Sequence, residues 1–302
     1  MTKHFRVKAL WLAVGVALSL LGFPPITNAE TANMNPELSM TQITIDGPQG
    51  NLATLRSASP GAPALVFLHA DPGRASQWMA VIALLAPNFD SIAIDIRGAG
   101  ASDPAADGDY GFDGRATDVA AAVVAYDLTR FVIVAHSSGA AVALAYAGAN
   151  RDKVTGIVMV DPAIDPRAMP ADIRDGFVKA LAGPDSFAAF QTYVGSIAGE
   201  NAGVRQQVLA DAVLLGPQAR AGLAAAFAGW NPEVALDAYN GPVFILSTPA
   251  TDIDGALYRL RPDIPHQVVQ TKGHWLQLDH PDVVADAIKL FMADVDLRQG
   301  AE

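Results

Sequence analysis

Two serines stand together in "AHSSG", residues 135–139, at the end of the apolar run "FVIVA" and the start of a small-residue stretch. A serine does covalent chemistry when it sits on a sharp strand-to-helix turn. The turn exposes its hydroxyl and sets helix N–H groups beside it. Such a turn also brings strand and helix close together, so the residues two before and two after the nucleophile must be small. Ser137 meets that condition with Ala135 and Gly139, whereas Ser138 is flanked by His136 and Ala140. Ser137 is therefore the candidate nucleophile, and Ser138 offers its backbone N–H to a developing oxyanion. A serine here also reads as a helix N-cap, and the five-residue pattern alone is common.

The elements that would position Ser137 follow from the periodicity. "TQITID", "GPQG" and "NLATLR" form two alternating runs around a turn, which predicts a β-hairpin. Six further apolar runs follow: "ALVFLH" (64–69), "SIAID" (91–95), "FVIVA" (131–135), "GIVMV" (156–160), "PVFIL" (242–246) and "HQVVQ" (266–270). Helix-like stretches over 78–85, 114–127, 138–149 and 281–293 alternate with them. Unbroken apolar strands alternating with helices predict an α/β fold, a mostly parallel eight-stranded sheet with helices on both faces. Residues 163–240 interrupt the rhythm, being Ala-rich, helical in period and broken by Pro170, Pro184, Pro217 and Pro232. They read as a helical cap inserted into a core of residues 30–162 and 241–302.

With these motifs in order the chain resembles the α/β-hydrolase family over roughly residues 41–295. "LHADPG" (68–73) resembles the His-Gly oxyanion loop after the third strand, and "DIRGAGASD" (95–103) the Gly-rich loop after the fourth. "AHSSG" resembles the nucleophile elbow, and "KGHWLQLDHPDVV" (272–284) the terminal Gly-His segment. Ala70 and Ala135 replace two usual glycines, and both are small. Of the six histidines, the resemblance gives His69 a structural role and makes His274 the base. His274 also lies in the loop after the last strand, where a parallel sheet gathers its ligands. The resemblance implies an orienting acid from the loop "STPATDID", hence Asp252, with Asp254 behind it. Asp161 in "VMVDPA" is the alternative, since some relatives carry the acid one strand earlier. The second oxyanion N–H is implied to be that of Asp71, whose carboxylate is expected to turn away from a developing negative charge. Asp95 and Arg97 are expected to be structural.

Composition bounds the rest. The 302 residues contain no cysteine, which excludes disulfides, thiolate metal sites and a cysteine nucleophile. Lys3, Arg6 and Lys8, then the apolar run Ala9–Phe23, then Pro24-Pro25 and Ala29 follow the order of a cleaved secretory signal over residues 1–29. The whole chain carries 20 basic and 31 acidic side chains. Losing the three basic residues of that segment takes the net charge from −11 to −14. Such a surface disfavours nucleic acid and anionic membranes as partners. No metal-ligand spacing is present, and "GAGAS" lacks the lysine of a phosphate loop. The expectation is a periplasmic or secreted serine hydrolase of a carboxylic ester or lactone. It needs no cofactor, has no membrane anchor after signal cleavage, and acts on an uncharged or apolar small molecule. The alternatives are a C–C bond or amide hydrolase of the same fold, or a binding protein that retains it. The oligomeric state is left open.

Overall fold

The computed structural model describes residues 40–299; the expected signal segment 1–29 lies outside them. Eight strands form one sheet: β1 Met40–Asp46, β2 Asn51–Ser57, β3 Ala64–Leu68, β4 Asp90–Ile94, β5 Phe131–His136, β6 Val154–Val160, β7 Val243–Ser247 and β8 His266–Val268. Their spatial order is β1-β2-β4-β3-β5-β6-β7-β8. The β1–β2 and β2–β4 pairs are antiparallel, and every other pair is parallel. The predicted hairpin is β1–β2, closed at Gly47 and Gly50.

Eleven α-helices are present among the described residues. They are α1 Met79–Leu85, α2 Phe112–Ala125, α3 Gly139–Ala149, α4 Ala171–Ala182, α5 Ser186–Ile197, α6 Ala202–Leu214, α7 Pro217–Ala228, α8 Pro232–Tyr239, α9 Leu257–Leu260, α10 Leu276–Asp279 and α11 Pro281–Gln299. Period-two alternation sorts the strand side chains between two cores. Val66 and Leu68 of β3, with Ile133 and Ala135 of β5, pack with α2, α3 and α8. Leu65, Phe67, Val132 and Val134 pack with α1 and α11 on the other face. Each such Val, Leu, Ile or Phe contributes about 1.5–3 kcal/mol of burial. All six residues of β5 are buried. A one-residue register slip would exchange its two apolar sets between the cores, so the position of Ser137 at the strand end is fixed by packing.

Five helices, α4–α8, lie between β6 and β7. The first four share a third apolar cluster with Ala105, Tyr110 and Trp275, over the C-terminal ends of the strands. The fifth, α8, behaves differently: Leu236 and Tyr239 pack into the α2–α3 layer of the sheet. The described chain between β6 and β7 thus carries helices and no strand, and its last helix serves the core. Asp211 of α6 ties the covering helices down, accepting from Gln77 Nε2 at 2.7 Å and pairing with Arg74 Nε at 2.7 Å.

Candidate active site

Ser137 follows the last residue of β5 with φ of +50°, in the left-handed region that non-glycine residues rarely adopt. Its N–H donates to Val160 O at 3.1 Å, and Ala140 N–H returns to its carbonyl at 3.0 Å, which fixes the turn. Gly139 answers a close approach. A Cβ there would stand 2.6 Å from the His69 carbonyl oxygen, so the helix can start against the β3 loop only without a side chain. This strand–turn–helix holds the Ser137 hydroxyl over the sheet's C-terminal edge.

The terminal loop supplies His274. Its Nδ1 lies 2.6 Å from Asp161 Oδ2. An ionised carboxylate can only accept, so Nδ1 carries the proton and Nε2 is left with its lone pair. Asp161 is fully buried at the end of β6, where its own φ is +43°. It also accepts from Thr248 N–H at 2.9 Å and Thr248 Oγ1 at 3.2 Å, and from the Thr251 hydroxyl. Four donors on one carboxylate set its orientation. Ser137, Ser138, His274, Asp71 and Thr251 line one cavity of about 360 Å³. Its other walls are mostly apolar side chains of the inserted helices and the α2 start, among them Phe112, Phe177, Phe190 and Phe227. A larger groove of about 720 Å³ lies at the β8–α11 edge and holds none of these residues.

Asp252 stands elsewhere. Its carboxylate accepts from Tyr258 OH at 2.5 Å and Arg259 Nη2 at 2.6 Å, and it is a third exposed. Those two contacts, the tyrosine first, hold its pKa below the usual carboxylate range. Asp252 is thus not the partner of His274 that the resemblance implied, because the loop's first turn offers Thr248 and Thr251 to the site and sends Asp252 to the surface helix α9. Asp254 is exposed. Asp161, the alternative, is the carboxylate on His274.

Asp71 also differs from expectation. Its carboxylate does not turn away: Oδ2 takes Arg115 Nη1 at 2.8 Å and the Ser138 hydroxyl at 2.8 Å. The Asp71 N–H in turn donates to Ser138 Oγ at 3.1 Å. Arg115, Thr248 and Thr251 went unnoticed in the sequence. Nothing in their spacing marks them, since Arg115 reaches the site from α2 and the two threonines from the loop after β7. Asp95 accepts two backbone N–H groups, from Ala75 at 2.5 Å and Ala101 at 2.8 Å, and Arg97 pairs with buried Asp118 at 2.7 Å. Both hold loops in place. His69 Nδ1 donates to Ala70 O and its Nε2 accepts from Ile96 N–H.

A second histidine packs beneath the first. His136 is fully buried, its ring centroid 4.7 Å from that of His274. Its Nε2 donates to the His274 carbonyl at 2.9 Å, and its Nδ1 accepts from Gln277 Nε2 at 3.0 Å. Burial, and then the neighbouring His274, hold its imidazole well below the usual histidine range. The His274 N–H donates to Ile197 O of α5 at 3.0 Å, so the loop is gripped from both sides. Tyr193 stands on the wall of the same cavity. Among the described residues no group of three or more His, Asp or Glu side chains could hold a metal ion. Nor is any helix among them long and apolar enough to cross a membrane.

Residues 63–281 match the family model described as the alpha/beta hydrolase fold. A soluble epoxide hydrolase of Corynebacterium sp. (strain C12) is 35% identical over 130 residues, which are 42% of this chain and 43% of that protein. The N-formylmaleamate deformylase of Pseudomonas putida is 33% identical over 101 residues, 33% of this chain and 38% of that one. The chain thus spans less than half the length of these curated relatives. Among solved structures, a carboxylesterase from Bacillus subtilis superposes with a TM-score of 0.69 at 19% identity, covering 85% of this chain and 92% of the other. That likeness is one of fold.

Proposed function

Because the chain belongs to the alpha/beta-hydrolase family, we propose that it is a serine hydrolase that cleaves a carboxylic ester or lactone through an acyl-enzyme on Ser137. The observation that carries the reading is the 2.6 Å contact between His274 Nδ1 and buried Asp161, on the wall of the cavity that Ser137 also lines. Ser137 Oγ attacks the carbonyl carbon and His274 Nε2 takes its proton. Asp161 holds the tautomer and stabilises the imidazolium. The carbonyl oxygen becomes an oxyanion between the N–H groups of Ser138 and Asp71. For the second of these, the oxyanion displaces the Ser138 hydroxyl oxygen that now accepts from Asp71 N–H. The imidazolium returns its proton to the leaving alcohol. One water, deprotonated by His274, then releases the acid and restores Ser137.

The apolar cavity supports a substrate with an uncharged acyl group. A deformylase among the curated relatives supports a second reading, hydrolysis of an amide by the same groups. The pattern of residues 1–29 supports export, with the mature chain starting at Glu30. Labelling with a serine-directed fluorophosphonate tests the nucleophile: the wild-type chain reacts and Ser137→Ala does not. A folded wild-type chain that takes no label would leave a binding protein in place of an enzyme. Esters, lactones and amides of matched acyl groups then rank the substrate class.

A further inference from the structure

An aspartate is an awkward residue to find at an oxyanion hole. Its amide nitrogen and carboxylate oxygens are separated by only four bonds, so an oxyanion held by the Asp71 N–H forms a few ångströms from a carboxylate. At an effective dielectric of about 20, like charges about 5 Å apart repel by the equivalent of roughly two decades of rate. The fold answers with a cation. Arg115 on α2 is 2% exposed and its Nη1 lies 2.8 Å from Asp71 Oδ2. Its Nε and Nη2 are sealed from solvent and have no hydrogen-bond acceptor among the described residues, with the guanidinium 5.3 Å from the Phe112 ring centroid. Burying an arginine with two nitrogens unsatisfied is costly. The contact that compensates is the one with Asp71.

We infer that Arg115 is the counter-ion that makes an aspartate tolerable at the oxyanion hole, a positioning residue that acts on the reaction through Asp71. The inference rests on Ser137 as nucleophile. Arg115 cancels the field of the carboxylate where the oxyanion forms. It also fixes the carboxylate, which accepts from the Ser138 hydroxyl as well.

The test is a double-mutant cycle between Arg115→Gln and Asp71→Asn, with Arg115→Lys as the conservative variant. The readouts are kcat and KM on p-nitrophenyl butyrate and the affinity of butaneboronic acid, whose adduct on serine is a tetrahedral anion. R115Q is expected to lower kcat about 30- to 100-fold and to weaken the boronate in parallel, with KM changed less than about threefold. R115K keeps the charge and stays within about tenfold of the wild type. D71N R115Q keeps the backbone donor, loses the stranded charge, and regains at least tenfold over R115Q. A purely structural role would lower thermal stability and spare the boronate. An R115Q kcat within threefold of the wild type, or a double variant no faster than R115Q, overturns the inference. Where R115Q does not fold, the double variant decides: kcat above about one-thirtieth of the wild type supports the inference and a lower value overturns it. A wild-type chain inert to both ester and boronate overturns the Ser137 reading and this inference with it. An active wild type without coupling overturns this one alone.

Discussion

Ser137 and Ser138 are neighbours with opposite surroundings. One sits on a left-handed turn over an apolar cavity, and the other is bound by its hydroxyl to Asp71. Fluorophosphonate labelling is therefore expected to persist in Ser138→Ala, which retains its backbone N–H, and to vanish in Ser137→Ala. The two acidic residues separate in the same way. Asp161→Asn leaves the shape but offers His274 an amide where it needs an ionised acceptor, so kcat is expected to fall on the order of 10⁴-fold. Asp252→Ala breaks contacts with Tyr258 and Arg259 at the surface and is expected to change kcat by no more than about threefold. Steady-state kinetics on one ester checks both, and equal losses would show that the acid has been misassigned. Ser137, Ser138 and His274 were legible because local sequence dictates a strand end, a helix start and a terminal loop. The acid was not. Two loops of similar composition both ended strands, and the choice between them depended on which one turned its carboxylate inward. That was decided by Thr248 and Thr251, hydroxyls whose role only the folded loop reveals.

At the level of elements, β5 and the terminal loop converge on His136, which is buried among apolar strands yet bonded at both ring nitrogens. Its two bonds require the neutral ring, and its affinity for protons is well below the ordinary value. Linkage then has a definite sign. Above about pH 6.5 folded and unfolded chains are both neutral at this site. Below it the unfolded histidine takes a proton that the folded one refuses, so stability falls by up to about 1.4 kcal/mol per pH unit. Thermal unfolding at pH 7.5 and 5 is expected to show this loss in the wild-type chain and less of it in His136→Gln. An identical pH dependence in the two would remove His136 as its source. The alternation of apolar strands and helices, the hairpin and the helical insertion were all readable from periodicity, because burial on two faces leaves little freedom in composition. The place of α8 was not readable. Its apolar side chains have the same spacing whether they face a cap or a sheet layer.

For the whole molecule, the largest question is what fills the cavity. With apolar walls, each added methylene of an acyl chain gains about 0.8 kcal/mol, or roughly fourfold in kcat/KM. That rise is expected to continue from acetyl esters until a cavity of about 360 Å³ is full, and then to reverse. A p-nitrophenyl ester series measures it, and a flat profile would place the acyl chain outside this cavity. The paired Asp71 and Arg115 bring opposite charges to the site.

The hydrogen bond from His274 N–H to Ile197 O joins the proposed base to the end of a helix that belongs to the insertion. A carbon-deep neighbour reinforces the joint, for a Cβ on Gly199 would meet Gly273 Cα at 2.6 Å. The consequence is for modularity. A lid grafted from a relative, or shortened to a linker, would take with it the acceptor that fixes the proton-carrying loop. On the proposed reading, selectivity and turnover are therefore not separable cassettes, and an exchange of these helices would need to bring along a carbonyl in the place of residue 197.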